Sequence, residues 1–317
     1  MKAVIYNKKW APEKLSLCEI AKPVPGDNEV LIRVHAVSLN AADYRSMRLG
    51  LIPKRKIFGA DVAGTVESVG KNVTLFKPGD AVLGDLADYG FGGLAWYVTA
   101  PERALIIKPE PVSFEAAATL PLAGITALQA LRNKGNIQKG DKVLIVGSAG
   151  SVGPFAVQLA KYFGAGVTGV CSTGNMNQTL SIGADHVIDY TKENPLGGNE
   201  RYSLILGING NYPLPAYRRA LSPDGRYVMV GGSFSQIIRS LLYGWLLSFG
   251  SRKMRSLSAK PNRQDLEFLA NLLENGTIRP VIDRRYTLDK TAEAMNYLSN
   301  GHATGKVVIL MDRMTTE

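Results

Sequence analysis

Hydrophobic and polar positions divide the chain into two regions with different periodicities. In the first third, alternating and β-branched residues over 29–37 and 61–69 predict short strands. Proline and glycine mark turns between such strands, as at 25–28 and 77–80. The first region is therefore expected to form a barrel-like β domain.

Strands and helices alternate in the second region, which begins after residue 111. Ser113 is a candidate N-cap for the Ala-rich run 114–120. The short apolar run 142–146 predicts a strand that is covered on both faces. Further strands are predicted at 166–171, 187–189, 203–206 and 226–230. Helical segments such as 155–163 separate them, so a parallel, doubly wound sheet is expected. A final helix over 288–298 and a strand over 306–310 could return to the first domain.

Composition limits the classes of function. The 317 residues are 45% hydrophobic, which suffices for about two domains with a core each. A net charge of +10 favours attraction for anions such as phosphate. The basic residues are scattered and no nucleic-acid-binding motif occurs, so no nucleic-acid partner is expected. Cys18 and Cys171 are too few for a disulfide scaffold and indicate a reducing compartment, with the cytoplasm as the default.

Neither a secretory signal nor a membrane span is expected. Polar residues at 7–9 follow directly after 1–6, which interrupts the apolar core that a signal peptide needs. The longest apolar stretch, 237–249, contains Arg239 and Gly244 and is shorter than the ~20 residues of a bilayer crossing. This stretch is expected to pack inside the chain or against a second subunit.

The most informative segment is a glycine-rich turn at 147–153, between a predicted strand and a predicted helix. Its glycines would let the backbone approach a diphosphate, and the helix amino end would offer unpaired N–H groups. The predicted contacts are Gly150, Ser151, Val152 and Gly153. Ser148 replaces the first glycine of the common dinucleotide-binding pattern, and a tight structural turn is the alternative.

The residues after the next strand bear on the choice of cofactor. A carboxylate there would bind the adenosine ribose and repel a 2′-phosphate, but 171–175 contain no acid. NADPH is therefore favoured, with Ser172 and Thr173 as hydroxyl donors to its phosphate. NADH remains possible, because these small polar residues could merely close a turn.

Several motifs, in the same order along nearly the whole chain, resemble the zinc-free medium-chain dehydrogenases/reductases of the quinone oxidoreductase type. They occupy 40–45, 59–64, 120–127, the glycine turn with Gln158 and Lys161, 183–190 and 301–306. The resemblance implies an α/β fold with a GroES-like β-barrel catalytic domain from 1–122 and 273–317, and a Rossmann doubly wound parallel-sheet domain from 123–272. It also implies a homodimer, to which the stretch 241–247 could contribute.

The resemblance also assigns further cofactor contacts. Thr126 resembles the residue that touches the nicotinamide ribose or amide, Tyr190 resembles the residue near the adenosine phosphate, and Arg252 belongs to a basic segment near the cofactor. Gly231 and Gly232 follow a strand, so they lie where ligands of such sheets bind and could admit the nicotinamide ribose. Core packing of Thr126, a strand end at Tyr190 and a solvated turn at Arg252 are the alternatives.

No metal site is expected. Zinc-dependent relatives place a cysteine near the position of Asn40 and a His-Glu pair at the positions of Ala60 and Asp61. Catalytic zinc needs about three Cys, His or carboxylate ligands around an open position. The chain's histidines are better explained as packing or surface residues: His35, His186 and His302.

Without a Lewis acid, the rate would come from placing the nicotinamide C4 near an electrophilic carbon and donors near the oxygen that gains charge. Quinones and α,β-unsaturated carbonyls are already activated and fit this chemistry. Asn40 and Tyr44 could hydrogen-bond the acceptor oxygen, with Tyr44 as a proton source, and Asp43 is the third catalytic candidate. Alternatively, Asn40 caps the next helix and Asp43 complements its dipole.

The sequence therefore predicts a zinc-independent, NADPH-dependent oxidoreductase that transfers hydride to a quinone or an α,β-unsaturated carbonyl. Two alternatives stay open at this point: a zinc-free NAD(P)-dependent alcohol dehydrogenase and a non-catalytic NADPH-binding sensor. The lack of an unmistakable acid/base pair is consistent with the sensor.

Overall fold

The computed structural model describes residues 1–6, 15–231, 250–301 and 303–311. Gly232, His302 and the apolar stretch 237–249 lie outside the described residues. Within the described ranges, no helix is both long enough and apolar enough to cross a membrane.

Two compact units make up the chain. The first combines Met1–Ala123 with Pro261–Glu317, and the second is Gly124–Lys260. The sequence instead assigned 123–272 to the second domain, so the helix that follows residue 262 falls in the first unit here. The domain boundaries drawn from the sequence stay a prediction.

The elements are numbered in chain order over the described residues. The strands are β1 (Lys2–Tyr6), β2 (Leu15–Glu19), β3 (Glu29–Leu39), β4 (Asp61–Val69), β5 (Ala81–Asp85), β6 (Tyr97–Pro101), β7 (Leu105–Ile107), β8 (Lys142–Val146), β9 (Gly166–Cys171), β10 (His186–Asp189), β11 (Tyr202–Gly207), β12 (Leu221–Met229), β13 (Lys253–Ser256), β14 (Ile282–Thr287) and β15 (Lys306–Leu310). The helices are α1 (Ala41–Arg48), α2 (Phe114–Ala118), α3 (Pro121–Gln129), α4 (Gly153–Tyr162), α5 (Met176–Ser181), α6 (Leu214–Ala220), α7 (Arg263–Glu274) and α8 (Thr291–Ser299).

The sheet of the first unit has the order β14-β15-β3-β4-β5-β7, with β6 also paired to β3. Strand β3 is antiparallel to both β4 and β15. The register pairs Ser38 with Asp61 and Leu39 with Val307, so the end of β3 lies beside the beginnings of β4 and β15. This pairing brings three segments that are far apart in the sequence to one place.

Apolar side chains anchor that place on a hydrophobic core. Ile32 and Leu39 on β3, Met47 on α1 and the neighbouring Phe58 are all buried in one core cluster. Full burial of such side chains contributes roughly 1.5–3 kcal/mol each. The end of β3 and the helix α1 that follows it are therefore anchored on the core.

The second unit contains a six-stranded sheet of order β10-β9-β8-β11-β12-β13, in which every pairing is parallel. The strand order reverses between β8 and β11, and α4, α5 and α6 connect successive strands. Strand β8 is buried after its first residue, Lys142, as expected for a strand covered on both faces. The predicted parallel, doubly wound sheet is confirmed.

The Ala-rich helical run predicted at 114–120 is interrupted. Ser113 caps α2 as predicted, because its Oγ accepts a hydrogen bond from the Ala116 N–H at 3.1 Å. Helix α2 ends at Ala118, and α3 begins at Pro121. Proline cannot continue a helix but suits its first turn, which explains the interruption.

Candidate active site

The glycine-rich turn lies at the carboxyl edge of the parallel sheet, where the strand order reverses between β8 and β11. Gly147, the first residue after β8, has a φ of +93°. A Cβ at this position would lie 2.9 Å from the backbone N of Asn209. Both the backbone conformation and the close approach therefore require glycine. Ligands of doubly wound sheets bind at such a reversal.

Two residues of the turn hold α4 against the sheet. A Cβ at Gly153 would lie 2.3 Å from the carbonyl O of Gly147, so only glycine fits. Ser148 is fully buried, and its Oγ lies 3.2 Å from Val170 O and 3.3 Å from Thr179 Oγ1. Ser148 therefore ties the turn to β9, which gives a structural reason for a side chain at this position.

The remaining residues of the turn offer a place for an anion. Ser151 Oγ is buried and has no hydrogen-bond partner among the described residues. Helix α4 has no side-chain hydrogen bond at its N-cap, and Pro154 has no N–H, so the helix amino end offers the N–H groups of Gly153 and Phe155. A Cβ at Gly150 would have no atom of the chain nearer than 3.9 Å. A phosphate here would satisfy the hydroxyl and the helix amino end together, so these residues fit a dinucleotide diphosphate.

The ends of β9 and β10 lie side by side, because Cys171 pairs with Asp189 in the register. Thr173 donates its hydroxyl hydrogen to Asp189 Oδ2, so it can donate to a phosphate only if this bond breaks. Asp189 Oδ1 accepts two further hydrogen bonds from Thr191, from its N–H at 3.0 Å and its hydroxyl at 2.7 Å. The hydrogen bonds from Thr173 and Thr191 lower the pKa of Asp189 to about 2. This carboxylate therefore stays ionised at neutral pH.

Ser172 and Tyr190 follow the same two strands. Ser172 Oγ accepts a hydrogen bond from Asn175 Nδ2 at 3.1 Å, and its own hydrogen can donate to another acceptor. The backbone N–H of Tyr190 donates to Cys171 O at 3.1 Å, and Tyr190 is 53% exposed. The structure thus brings both residues to the carboxyl edge of the sheet.

Arg252 is not brought to that edge. It directly precedes β13, whose first residue Lys253 pairs with Arg226, and Arg226 is level with Leu204 and Val143 near the starts of β11 and β8. Its Nε donates to Ser222 O at 3.3 Å. Arg252 therefore lies at the amino edge of the sheet, opposite to the glycine-rich turn.

The loop after β11 was not singled out from the sequence. Ile208 and Asn209 donate their N–H groups to Val146 O at 3.0 and 3.1 Å, which places this loop beside the glycine-rich turn. Gly231 follows β12 at the same edge, and a Cβ there would lie 2.7 Å from Ile208 O. Thr126, by contrast, is buried within α3. Strand order is the signal that could have found the loop, because β11 neighbours β8 in a doubly wound sheet.

A second group of predicted residues lies at the start of α1 in the first unit. Asn40 is the N-cap of α1, and Asp43 lies in its first turn. Asp43 Oδ2 accepts a hydrogen bond from the Asn40 N–H at 2.8 Å, and its Oδ1 accepts one from the Gly59 N–H at 3.0 Å. Both side chains are buried. Asp43 thus fixes the beginning of α1 to the chain segment before β4.

Lys306 provides the cation of this region. Its Nζ donates to Asn40 Oδ1 at 2.6 Å and lies 3.4 Å from Asp61 Oδ2. Asp61 Oδ2 also accepts from Asn40 Nδ2 and Ser38 Oγ, both at 2.8 Å, and its Oδ1 accepts from the Leu122 N–H at 2.9 Å. Buried charges persist when they are paired and hydrogen-bonded in this way. We name the following residues the buried polar network: Ser38, Asn40, Asp43, Asp61 and Lys306.

Burial also changes proton binding around the buried polar network. Burial raises the pKa of Asp43 to about 6. Burial, followed by the charge of Asp61 on the neighbouring strand, raises the pKa of Asp85 to about 7. Burial lowers the pKa of the Lys306 ammonium, and the negative charge of Asp61 opposes that effect. The raised pKa values favour the protonated forms of Asp43 and Asp85 below pH 6 to 7.

Sequence reasoning did not connect Lys306 with Asn40, which precedes it by 266 positions. The available signal was a lysine at the start of the apolar run 306–310, because a charged residue that begins a buried strand needs a partner. Within the part of the chain that the structure describes, no group of three or more His, Cys, Asp or Glu residues is placed to hold a metal ion. The Lys306 ammonium contacts both Asn40 and Asp61, which lie at or near positions where zinc-dependent relatives are expected to carry metal ligands.

Tyr44 follows the buried polar network along α1. It is half-buried and packs against the core of the first unit. The guanidinium carbons of Arg45 and Arg48 lie 5.9 and 5.3 Å from the centre of its ring. Of the three predicted catalytic residues, Tyr44 is the most exposed, because Asn40 and Asp43 are at most 2% exposed.

Comparisons with known proteins agree with this architecture. Residues 26–110 match the alcohol dehydrogenase GroES-like domain, and residues 182–309 match the zinc-binding dehydrogenase family. The chain is 32% identical to the chloroplast envelope quinone oxidoreductase homolog of Arabidopsis thaliana over 98% of both chains. It is 31% identical to the NADPH-dependent alkenal/one oxidoreductase, chloroplastic, of the same plant, over 98% of this chain and 79% of the relative.

A solved structure extends the likeness to three dimensions. The quinone oxidoreductase from Coxiella burnetii superposes with a TM-score of 0.89 at 30% sequence identity, over 98% of this chain and 99% of that one. Together with the GroES-like match, this similarity confirms the fold class predicted from the sequence.

Proposed function

Because this chain belongs to the medium-chain dehydrogenase/reductase superfamily, in its quinone oxidoreductase group, we propose that it is an NADPH-dependent oxidoreductase that reduces a quinone or an α,β-unsaturated carbonyl. The observation that carries the proposal is the buried Ser151 hydroxyl, which has no partner among the described residues and lies beside the uncapped start of α4. The names of the relatives supply the acceptor class.

The glycine-rich turn is the proposed cradle for the cofactor diphosphate. Gly150 lets the backbone approach the phosphates, Ser151 donates its hydroxyl, and the first N–H groups of α4 face the negative charge. Val152 and Gly153 supply backbone at the same helix end. When bound, NADPH supplies a hydride from its nicotinamide C4. The chain itself contributes binding and orientation.

The proposed preference for NADPH rests on the ends of β9 and β10. Ser172 has a hydroxyl hydrogen that can donate to the 2′-phosphate, and the exposed Tyr190 lies at the same edge. Thr173 is the weaker candidate, because it already donates to Asp189. The Asp189 carboxylate accepts hydrogen bonds from the Thr173 and Thr191 hydroxyls and lies 3.6 Å from the Lys192 Nζ. These interactions reduce the repulsion between this carboxylate and a phosphate.

The other proposed cofactor contacts rest on less. Gly231 at the carboxyl edge is consistent with a place near the nicotinamide ribose. Gly232 remains a prediction outside the described residues. Thr126 is buried, and Arg252 lies at the amino edge, so the geometry favours them less than Ser151 and Ser172.

On the acceptor side we assign different roles to the three predicted catalytic residues. Tyr44 is the proposed donor to the acceptor oxygen, because it is the most exposed of the three. The polar atoms of Asn40 and Asp43 already form hydrogen bonds within the chain. These two residues are therefore proposed to hold α1, and with it Tyr44, in position. Such preorganised donors stabilise an oxygen that gains negative charge during hydride transfer.

We further propose that the enzyme works without zinc, as a cytoplasmic homodimer. Support for zinc independence comes from Lys306. Its ammonium contacts Asn40 and Asp61, at or near positions where zinc-dependent relatives are expected to carry metal ligands, and a cation there would oppose a metal ion. Support for a reducing compartment comes from the free thiols of Cys18 and Cys171. The dimer rests on the family resemblance and on a stretch outside the described residues.

Steady-state oxidation of NADPH by the purified protein tests the proposal. We expect turnover with para-benzoquinone or a simple enone and much slower turnover with the matching saturated ketone. Equal rates with the ketone would favour an alcohol dehydrogenase. Tight NADPH binding without turnover of any acceptor would favour the sensor.

Two alanine variants test the cofactor cradle. In Gly150→Ala the new Cβ meets no atom of the chain nearer than 3.9 Å, so we expect unchanged folding but NADPH binding weakened about tenfold or more. Gly166→Ala is the matched control, because its Cβ would lie 4.0 Å from the nearest atoms, at the amino edge of the same sheet. If both variants bind NADPH equally well, the turn is not the diphosphate site.

A further inference from the structure

An exposed apolar tip follows helix α1. Leu49, Leu51 and Ile52 are 61%, 63% and 42% exposed, and we name these three residues the 49–52 tip. Across the described residues, the other exposed large hydrophobic side chains are spread along the chain: Leu17, Val24, Leu75, Ile107, Tyr162, Leu180 and Tyr190. Single exposed apolar residues need no explanation, whereas apolar side chains exposed next to one another can form an interaction site.

Backbone hydrogen bonds hold the 49–52 tip in its exposed position. Leu49 and Leu51 donate their N–H groups to Arg45 O at 3.0 Å and Ser46 O at 2.9 Å, which closes the end of α1. The buried residues Met47 and Pro53 anchor the segment on both sides. The apolar side chains are therefore exposed by an ordered turn.

Positive charge surrounds the 49–52 tip along the chain. The segment 45–56 contains no acid and five basic residues: Arg45, Arg48, Lys54, Arg55 and Lys56. Its charge of +5 is half of the net charge of +10. Arg55 donates to Thr99 Oγ1 at 2.6 Å, whereas Lys54 and Lys56 are exposed and follow the tip by two and four positions along the chain. Apolar side chains flanked by basic residues complement a lipid bilayer, which has an apolar interior and can have anionic headgroups at its surface.

We propose that the 49–52 tip is a docking site for an anionic lipid bilayer. The aliphatic side chains would enter the boundary between headgroups and acyl chains, and Lys54 and Lys56 would contact the anionic headgroups. Two observations favour a lipid surface over a protein partner. Three side chains are far fewer than the ~20 residues per partner of a stable protein interface. The basic residues of the segment 45–56 also complement the negative charge of anionic lipid headgroups. Docking is independent of the proposed reduction and goes beyond it.

Co-sedimentation of the full chain with vesicles tests the proposal. We expect binding to vesicles that contain phosphatidylglycerol, and little binding to pure phosphatidylcholine. Added salt should release the protein, because it screens the contacts of the lysines with headgroups. Failure to bind anionic vesicles at low salt would overturn the proposal and would leave the reductase proposal untouched.

Matched variants locate the docking site. Leu49→Ser/Leu51→Ser/Ile52→Ser should weaken the partition coefficient for anionic vesicles at least tenfold. Leu75→Ser/Ile107→Ser, at two isolated positions that are 48% and 50% exposed, is the control and should bind as the unchanged chain does. Thermal unfolding of each variant establishes that it is folded.

Charge variants complete the test. Lys54→Gln/Lys56→Asn should weaken binding to anionic vesicles roughly thirtyfold, whereas Lys134→Gln/Lys139→Gln, two exposed lysines of the second unit, should change it little. Equal effects of both pairs would indicate diffuse attraction by the net charge and would overturn a localised site. A dimer that the triple tip variant dissociates, without vesicle binding, would instead assign the tip to contact with a second copy.

Discussion

Replacing Lys306 by Met tests whether the buried polar network needs its ammonium. Lys306 is 1% exposed, and its Nζ lies 2.6 Å from Asn40 Oδ1 and 3.4 Å from Asp61 Oδ2. Met keeps most of the volume and removes the charge. Asp61 would keep the donors Ser38, Asn40 and the Leu122 N–H, but the charge balance of the core would be lost.

The distances set the magnitude. Opposite unit charges 3.4 Å apart attract by about 5 kcal/mol at an effective dielectric constant of about 20. Desolvation of the ammonium opposes this attraction, which agrees with the lowered pKa of Lys306. Removal of one partner from a buried pair costs about 3–5 kcal/mol, because the other charge stays buried. For a domain of this size, the unfolding temperature should fall by roughly 10 °C.

Scanning calorimetry at pH 7 measures the loss. Lys22→Met is the control, because Lys22 pairs with Glu67 at the surface of the same unit, where an ion pair contributes about 1 kcal/mol or less. Asp61→Asn/Lys306→Met should lose at least about 1 kcal/mol less than the two single changes together, since neither charge is then left alone. A Lys306→Met loss no larger than that of the control, or fully additive changes at positions 61 and 306, would refute the reasoning.

Three further predictions concern single side chains. Ser151→Ala should leave the free protein as stable or more stable, since its hydroxyl has no partner among the described residues, but should weaken NADPH binding about tenfold; equal affinity in a calorimetric titration would contradict the diphosphate assignment. The raised pKa values of Asp43, about 6, and Asp85, about 7, predict a contribution to stability that is present below about pH 4 and is lost as the pH rises through 6 to 7. Asp85→Asn should therefore stabilise the chain at pH 8 by up to about 4 kcal/mol and change little at pH 4, and urea unfolding with the same effect at both pH values would argue against this origin. Tyr44→Phe should lower kcat about tenfold or more with little change in KM, whereas Tyr89→Phe, whose ring also lies beside an arginine, should retain activity; equal rates would remove Tyr44 from the proposed chemistry.

Local patterns made the second unit predictable. A strand, a glycine-rich turn and a helix follow one another within 142–162, so their geometry depends on neighbouring residues. The partner of Thr173 was not predictable in the same way. Asp189 lies sixteen positions away and reaches Thr173 because β10 pairs with β9. Hydroxyl residues after a strand predict a polar site, but sheet register decides what they bind.

The first unit was predictable as strands and turns, and its buried polar network was not. The capping roles of Asn40 and Asp43 depend on adjacent residues and were among the alternatives drawn from the sequence. Lys306 reaches Asn40 only because β15 pairs with β3. Periodicity along one segment carries no information about such long-range pairing.

The buried polar network has a consequence for how the first unit positions Tyr44. Asp61 accepts hydrogen bonds from four groups and is the carboxylate that lies closest to the Lys306 ammonium, at 3.4 Å, whereas burial raises the pKa of Asp43 and Asp85 and so favours their neutral forms below pH 6 to 7. A nearly neutral cluster can exist in the core, whereas three ionised carboxylates with one ammonium would repel each other. Because Asn40 links this ion pair to the first turn of α1, we expect the position of Tyr44 to depend on the charge balance of side chains that an acceptor does not need to touch.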